Sequence, residues 1–208
     1  MISAESPFLP IALRGRGADA GAAICLKEAL MLRRVLSYGV VAGAIVGLPL
    51  FGMTVAMNGH PPAPYSAVIG YSIMLIALST VFVAIKRHRD ADLGGVIKFW
   101  PALGLGLGIS LVAAIFYVAA WEAALAVTHT DFAGTYANVM IEQEKAKGVT
   151  GEALAKFTAG MERFKADYKN PFYRLPVTFA EIFPIGVLVS LVSAGLLRNS
   201  RFLPARRN

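Results

Sequence analysis

The sequence predicts an all-α fold: an integral membrane four-helix bundle with an extracytoplasmic amphipathic helical hairpin between spans three and four. Three observations predict it. Hydrophobic residues make up 56% of the chain and charged residues 16%, against about 45–50% and 25% in soluble domains. The excess is gathered into four nearly uncharged stretches, about 35–57, 65–85, 101–127 and 177–197. Each is long enough, at about 20 residues, to cross a hydrocarbon layer of about 30 Å as a helix. Finally, the basic residues sit at the ends of these stretches instead of spreading over a surface, so the formal charge of +7 points to membrane topology and away from nucleic acid.

In chain order, residues 1–30 carry Ser6, Pro7, Pro10, Gly15, Gly17 and Gly21 without a sustained period. They read as a disordered or non-native extension, and Met31-Leu32-Arg33-Arg34 reads as the natural start of a signal-anchor helix. The membrane domain is expected over 31–200, followed by a basic cytoplasmic tail, 201–208. Arg33 and Arg34 precede span one. Lys86, Arg87, Arg89 and Lys98 separate spans two and three, and Arg198, Arg201, Arg206 and Arg207 follow span four. The loop Asn58–Pro64 has no Lys or Arg. This pattern predicts a multi-pass membrane protein with both termini cytoplasmic. Arg163, Lys165, Lys169 and Arg174 pull the other way, but Glu162 and Asp167 lie among them.

Within the spans, Gly39, Gly43 and Gly47 lie four apart on one face, as do Gly186, Ser190 and Ala194, and span three offers Gly104 and Gly108. Small residues at this spacing let helices approach closely where no hydrophobic drive exists between them. The run Gly104-Leu105-Gly106-Leu107-Gly108 lacks the spacing and the strand context of a nucleotide loop, so packing is its expected role. Between spans three and four, Phe132, Tyr136, Val139 and Met140 mark one helical face. Leu154, Phe157, Met161, Phe164 and Tyr168 mark a second, heptad-like seam. A hairpin over about 131–169 follows, with Gly148 stopping its first helix, Thr150 capping its second and Asn170-Pro171 ending it. Its seams either face one another or serve as a lid or partner-docking surface. Phe172, Tyr173 and Arg174 read as a headgroup-level anchor for span four.

Several strings, in this order and spacing, resemble one bacterial family of four-helix membrane proteins, domain-of-unknown-function family 4199. They are Gly70-Tyr71-Ser72-Ile73-Met74, Ile85-Lys86-Arg87-His88-Arg89-Asp90 with Gly94-Gly95, Tyr117, Trp121-Glu122, Tyr168-Lys169-Asn170-Pro171, and Thr178 through Gly186. The likeness runs from about Met31 to Leu197. It implies a four-span membrane fold and no particular activity.

Glu122 and Glu181 are the two carboxylates inside the apolar stretches. A charge near the middle of a membrane helix costs about 2.5–3.5 kcal/mol on insertion scales, so a carboxylate kept there normally faces protein or water. Placed at equal depth with Tyr71, and with Pro49 and Pro184 freeing carbonyls nearby, the two would form a coupled pair in an outward polar cavity. Such a site suits a proton, a cation or a lipid headgroup. Alternatively both snorkel to the interface and pair with Arg174 or His129. The turn holding Lys86, Arg87, Arg89 and Asp90 is a candidate cytoplasmic contact for anionic lipid or a partner, its Arg89–Asp90 pair contributing little if exposed.

Chemistry-bearing motifs are otherwise missing. His60, His88 and His129 lie in separate segments, Cys25 is the single cysteine, and neither HExxH, a GxSxG elbow nor a phosphate loop occurs. No catalytic residue, cofactor or metal is therefore expected. The resulting expectation is a structural or accessory membrane protein without turnover. Its partners would be membrane lipids, another membrane protein or further copies of itself. A small proton- or cation-coupled carrier using Glu122 and Glu181 is the main rival, and a lipid-acting enzyme the weaker one.

Overall fold

A computed structural model describes residues 12–57 and 66–204; the loop Asn58–Pro64, most of the Met1–Ala12 stretch and the last four tail residues lie outside the described residues. The chain forms two units, Met1–Arg34 and Val35–Asn208. The described part of the first is the opening stretch of helix α1, whose bounds are Ala12–Met57. Part of the segment expected to be a loose extension is thus helical, and from Ala18 to Ala29 the sequence is rich in alanine, the strongest helix former.

The second unit holds the rest of α1, then α2 (Ser66–Asp92), α3 (Phe99–Thr128), α4 (Phe132–Ala146), α5 (Gly151–Tyr168) and α6 (Pro171–Leu197). No strand occurs among the described residues. Four helices are long and apolar enough to cross a membrane: Ala29–Met57, Val68–Asp92, Phe99–Thr128 and Pro171–Leu197. Leu75, Ile76, Ile115, Leu188 and Val192 stand on their outward faces, each more than half exposed. In water such a surface would be untenable; in a bilayer it is the surface the acyl chains cover.

Helix α3 is the hub. Half of its apolar window is buried, 50%, against 22% for α1 and α6. Its contact with α1 is parallel and keeps one register throughout. Gly39 lies against Val112, Gly43 against Phe116 and Gly47 against Ala120, while Gly108 receives Val35. A Cβ on Gly39 or Gly43 would come within 2.5 Å of the facing side chain, so only glycine permits this approach. On another face α3 meets α6 antiparallel, with Gly186 against Ser110 and Gly106 against Ser190. The serines close the seam: Ser190 Oγ donates to Gly186 O at 2.7 Å, and Ser110 Oγ lies 3.3 Å from Ser190 Oγ. The expected role of Gly104 is corrected here. Nothing lies within 4 Å of the position its Cβ would take, and the packing glycines of α3 are Gly106, against α6, and Gly108, against α1.

Helix α2 fills the remaining side against α3 and α6, with Leu78 reaching Gly186 and Ile85 reaching Gly106. Two ends result. The turn from α2 to α3 and the C-terminus of α6 share one, called here the basic end; the hairpin α4–α5 occupies the other. Both α2 and α6 are longer than the apolar runs suggested. Helix α2 continues through its charged turn to Asp92, held by i, i+4 pairs of Lys86 with Asp90 and His88 with Asp92. Helix α6 begins at Pro171, because Asn170 caps it, its Oδ1 accepting from Phe172 N at 3.0 Å, and a proline at the first helical position loses no hydrogen bond.

The hairpin forms over the expected residues with two changes. In α4 the buried positions are Ala133, Gly134, Ala137 and Ile141, one step round from the expected face, because small side chains take the closest line and the aromatics flank it. Thr150 stands at the N-cap of α5, but its hydroxyl makes no capping bond. Asp131 caps α4 instead, accepting from Gly134 N at 3.0 Å.

Candidate functional site

The antiparallel register of α3 and α6 brings the polar residues of the two spans face to face at two levels. At the upper level Glu122 of α3 meets Arg174 of α6. Arg174 Nε donates to Glu122 Oε1 at 2.7 Å and Nη2 donates to Oε2, a two-pronged pair whose partners are 17% and 28% exposed. The planar fork of the guanidinium matches both carboxylate oxygens, the geometry in which such pairs are strongest. Arg174 Nη1 also donates to Tyr168 O at 3.3 Å, and its guanidinium lies over the Tyr168 ring, 5.8 Å from the centroid.

Tyr168 ties this pair to the hairpin. Trp121 Nε1, one residue before Glu122, donates to Tyr168 Oη at 2.8 Å. The Trp121 ring meets Phe132 edge-on at 4.7 Å. Phe132, Tyr136, Phe164 and Tyr168 then continue the contact at centroid distances between 5.2 and 5.9 Å. Burial pushes the Tyr168 phenol up, partly offset by the hydrogen bonds to its oxygen and by the Arg174 charge. The seam expected inside the hairpin is therefore also its clasp onto the bundle.

At the lower level Tyr117 Oη donates to Glu181 Oε2 at 3.1 Å. This corrects the expected coupled carboxylate pair. Glu122 and Glu181 have different partners and do not share a depth. Glu122 lies level with Arg174, near the start of α6, whereas Glu181 lies level with Tyr117, five residues or about 7 Å further in. The equal-depth expectation failed because α6 begins six residues earlier than its apolar run. Tyr71 of α2 is half exposed and close enough to Tyr117 to act on it electrostatically.

At the basic end the four candidate contact residues divide. Arg89 is fully buried and turned inward. Its Nε donates to Asp90 Oδ1 at 2.7 Å, Nη1 donates to Phe202 O at 2.9 Å, and Nη2 donates to Leu203 O. The Arg89–Asp90 pair expected to be exposed is thus enclosed, since the chain after α6 folds back over it and sets Phe202 edge-on to Phe82 at 6.5 Å. Lys86 Nζ holds Asp90 Oδ2 at 2.6 Å. Arg87 stays exposed and reaches Tyr38 of α1 at 3.4 Å.

Sequence reasoning singled out both glutamates but not Tyr117, Trp121 and Tyr168 as their neighbourhood. The signal available was the strings Trp121-Glu122 and Tyr168-Lys169-Asn170-Pro171, which fall together in space. Among the described residues, no three His, Cys, Asp or Glu side chains gather where a metal ion could be held.

Residues 37–199 match the model of a family described as Protein of unknown function (DUF4199). None of the curated proteins and none of the solved structures matches the chain.

Proposed function

This chain belongs to the DUF4199 family, and we propose that it is a structural or accessory protein of the bacterial inner membrane, binding lipid or another membrane protein without catalytic turnover. One observation carries the reading: Glu122, the carboxylate best placed for chemistry near the membrane edge, is neutralised by Arg174 inside the clasp that docks the hairpin. A residue so held maintains shape, and the shape it maintains is a helical surface projecting from the bundle. The same reading places the hairpin outside and the basic end in the cytoplasm, because Lys86, Arg87, Arg89, Lys98, Arg198 and Arg201 flank the spans at that end.

Native mass spectrometry from mild detergent tests the role. Bound lipid or a stoichiometric partner that is lost when residues 131–169 are deleted supports it; a bare chain with and without the hairpin counts against it. Orientation is tested with impermeant maleimide on intact cells, in a Cys25→Ser background. Gln143→Cys is expected to label and Asn199→Cys to stay protected.

A carrier is the second reading, favoured by Glu181, which has Tyr117 and no cation as its partner among the described residues. Proton- or cation-dependent flux in proteoliposomes that Glu181→Gln abolishes would establish it.

A further inference from the structure

Glu181 sits deep in the membrane. It follows Pro171, the start of α6, by ten residues, about 15 Å at the helical rise, and Tyr117 precedes Thr128, the end of α3, by eleven, about 16 Å. The two helices thus agree on its level, below the headgroup-level turn of Phe172, Tyr173 and Arg174 and inside the span that a hydrocarbon layer about 30 Å thick would cover. Its side chain stands at the exposed surface of α6, bounded on one side by Tyr117. In a bilayer that surface would face acyl chains.

Among the described residues the groups around it are few. From α3 come Tyr117 and, more than a turn higher, Glu122, which Arg174 already holds. From α2 comes Tyr71, acting through Tyr117. From α5 comes Tyr168, engaged with Trp121. None of these is a cation available to Glu181. An ionised carboxylate facing hydrocarbon without a counter-charge is among the costliest arrangements a membrane protein can hold. A carboxylic acid carries no charge penalty, and its carbonyl oxygen still accepts the Tyr117 hydroxyl, in a weaker bond than a carboxylate would make.

We propose that Glu181 and Tyr117 form a proton-binding site in the hydrocarbon layer, with Glu181 as a carboxylic acid open to the lipid side and the Tyr117 hydroxyl fixing its orientation. This goes beyond the accessory reading and does not depend on it. The ligand is the proton itself, and the site is a single carboxyl in place of the pair the sequence suggested.

Carbodiimides of opposite solubility test it on the purified full chain in lipid vesicles. Dicyclohexylcarbodiimide partitions into acyl chains and reacts with carboxylic acids. The carboxyl proton moves to a carbodiimide nitrogen as a carboxyl oxygen bonds to the central carbon, and an oxygen-to-nitrogen acyl shift leaves a stable N-acylurea. Peptide mass spectrometry is expected to find this adduct on Glu181, formed about tenfold or more faster than on Glu122, whose charge-assisted pair must first open. A water-soluble carbodiimide is expected to leave Glu181 unmodified, and Glu181→Gln to abolish the adduct. Tyr117→Phe, which removes the hydroxyl and keeps the ring, is expected to keep the adduct and change its pH profile. Absence of the adduct on Glu181, or equal labelling by the water-soluble reagent, would overturn the proposal. Either result would leave the hairpin-dependent partner experiment untouched.

Discussion

Arg89 and Arg174 do similar work at opposite ends of the molecule, each binding one carboxylate and at least one backbone carbonyl of a neighbouring segment. Arg89 is the more enclosed. Its Nε, Nη1 and Nη2 donate to Asp90 and to the carbonyls of Phe202 and Leu203, a planar spread that the single nitrogen of a lysine cannot reproduce. Arg89→Lys is therefore expected to free the turn after Leu197, read as faster carboxypeptidase trimming past Arg198. Arg89→Met, which removes the hydrogen bonds to Asp90 and to the carbonyls of Phe202 and Leu203, is expected to cost about 1–3 kcal/mol of stability. At the other end, Glu122 and Arg174 hold each other directly. Each single change to Gln is expected to cost about 1–3 kcal/mol, since it strands its partner. The double variant is expected to cost less than the sum of the two, and a double-mutant cycle in mixed micelles measures the coupling.

Between elements, two kinds of contact hold the bundle, and they respond to different perturbations. The α1–α3 seam depends on absent side chains. Gly43→Leu would drive its Cβ into Phe116 and is expected to part α1 from α3 while leaving the α3–α6 seam, where Ser110 and Ser190 meet, intact. Cysteine cross-linking between Val35 and Gly108 positions is expected to fail in that variant and succeed in its parent. The hairpin contact depends on aromatic rings and on the Tyr168 hydroxyl, and it responds to pH. Tyr168 is held above its ordinary range by burial, so the docked state favours the protonated phenol. Its contribution is complete below the unfolded value of about 10 and is lost as pH rises beyond it. Undocking of α4–α5, followed by tryptophan fluorescence of Trp121, is expected above about pH 10, and Tyr168→Phe is expected to flatten that dependence. The small-residue stripes could be read from sequence because spacing alone puts Gly39, Gly43 and Gly47 on one line. Which of Gly104, Gly106 and Gly108 faces a partner could not, since span three is apolar all round and has no polar face to fix its rotation.

At the scale of the molecule, the four spans and the hairpin were legible because the bilayer imposes a length and a polarity that composition alone reveals. Depth was not, because it depends on where a helix starts, and the start of α6 is set by Asn170 and Pro171 outside its apolar run. The same logic predicts how the molecule divides dynamically. Amides of the four spans are satisfied within helices and, in a bilayer, shielded by lipid, whereas α4 and α5 lie beyond the spans, with α5 burying only Tyr168. Hydrogen exchange in vesicles is expected to change abruptly near His129 and Asn170, with α4–α5 exchanging as one unit and the four spans persisting. Within that unit the clasp makes a further difference. Because Tyr168 joins Trp121 and Arg174, the last turn of α5 is expected to exchange more slowly than its first, against the ordinary fraying of helix ends. Arg174→Gln is expected to erase that gradient while leaving the spans unchanged. Uniform exchange along α5 in the unaltered protein would mean that the hairpin is not held by the bundle at all, and the surface it presents would then have no fixed direction.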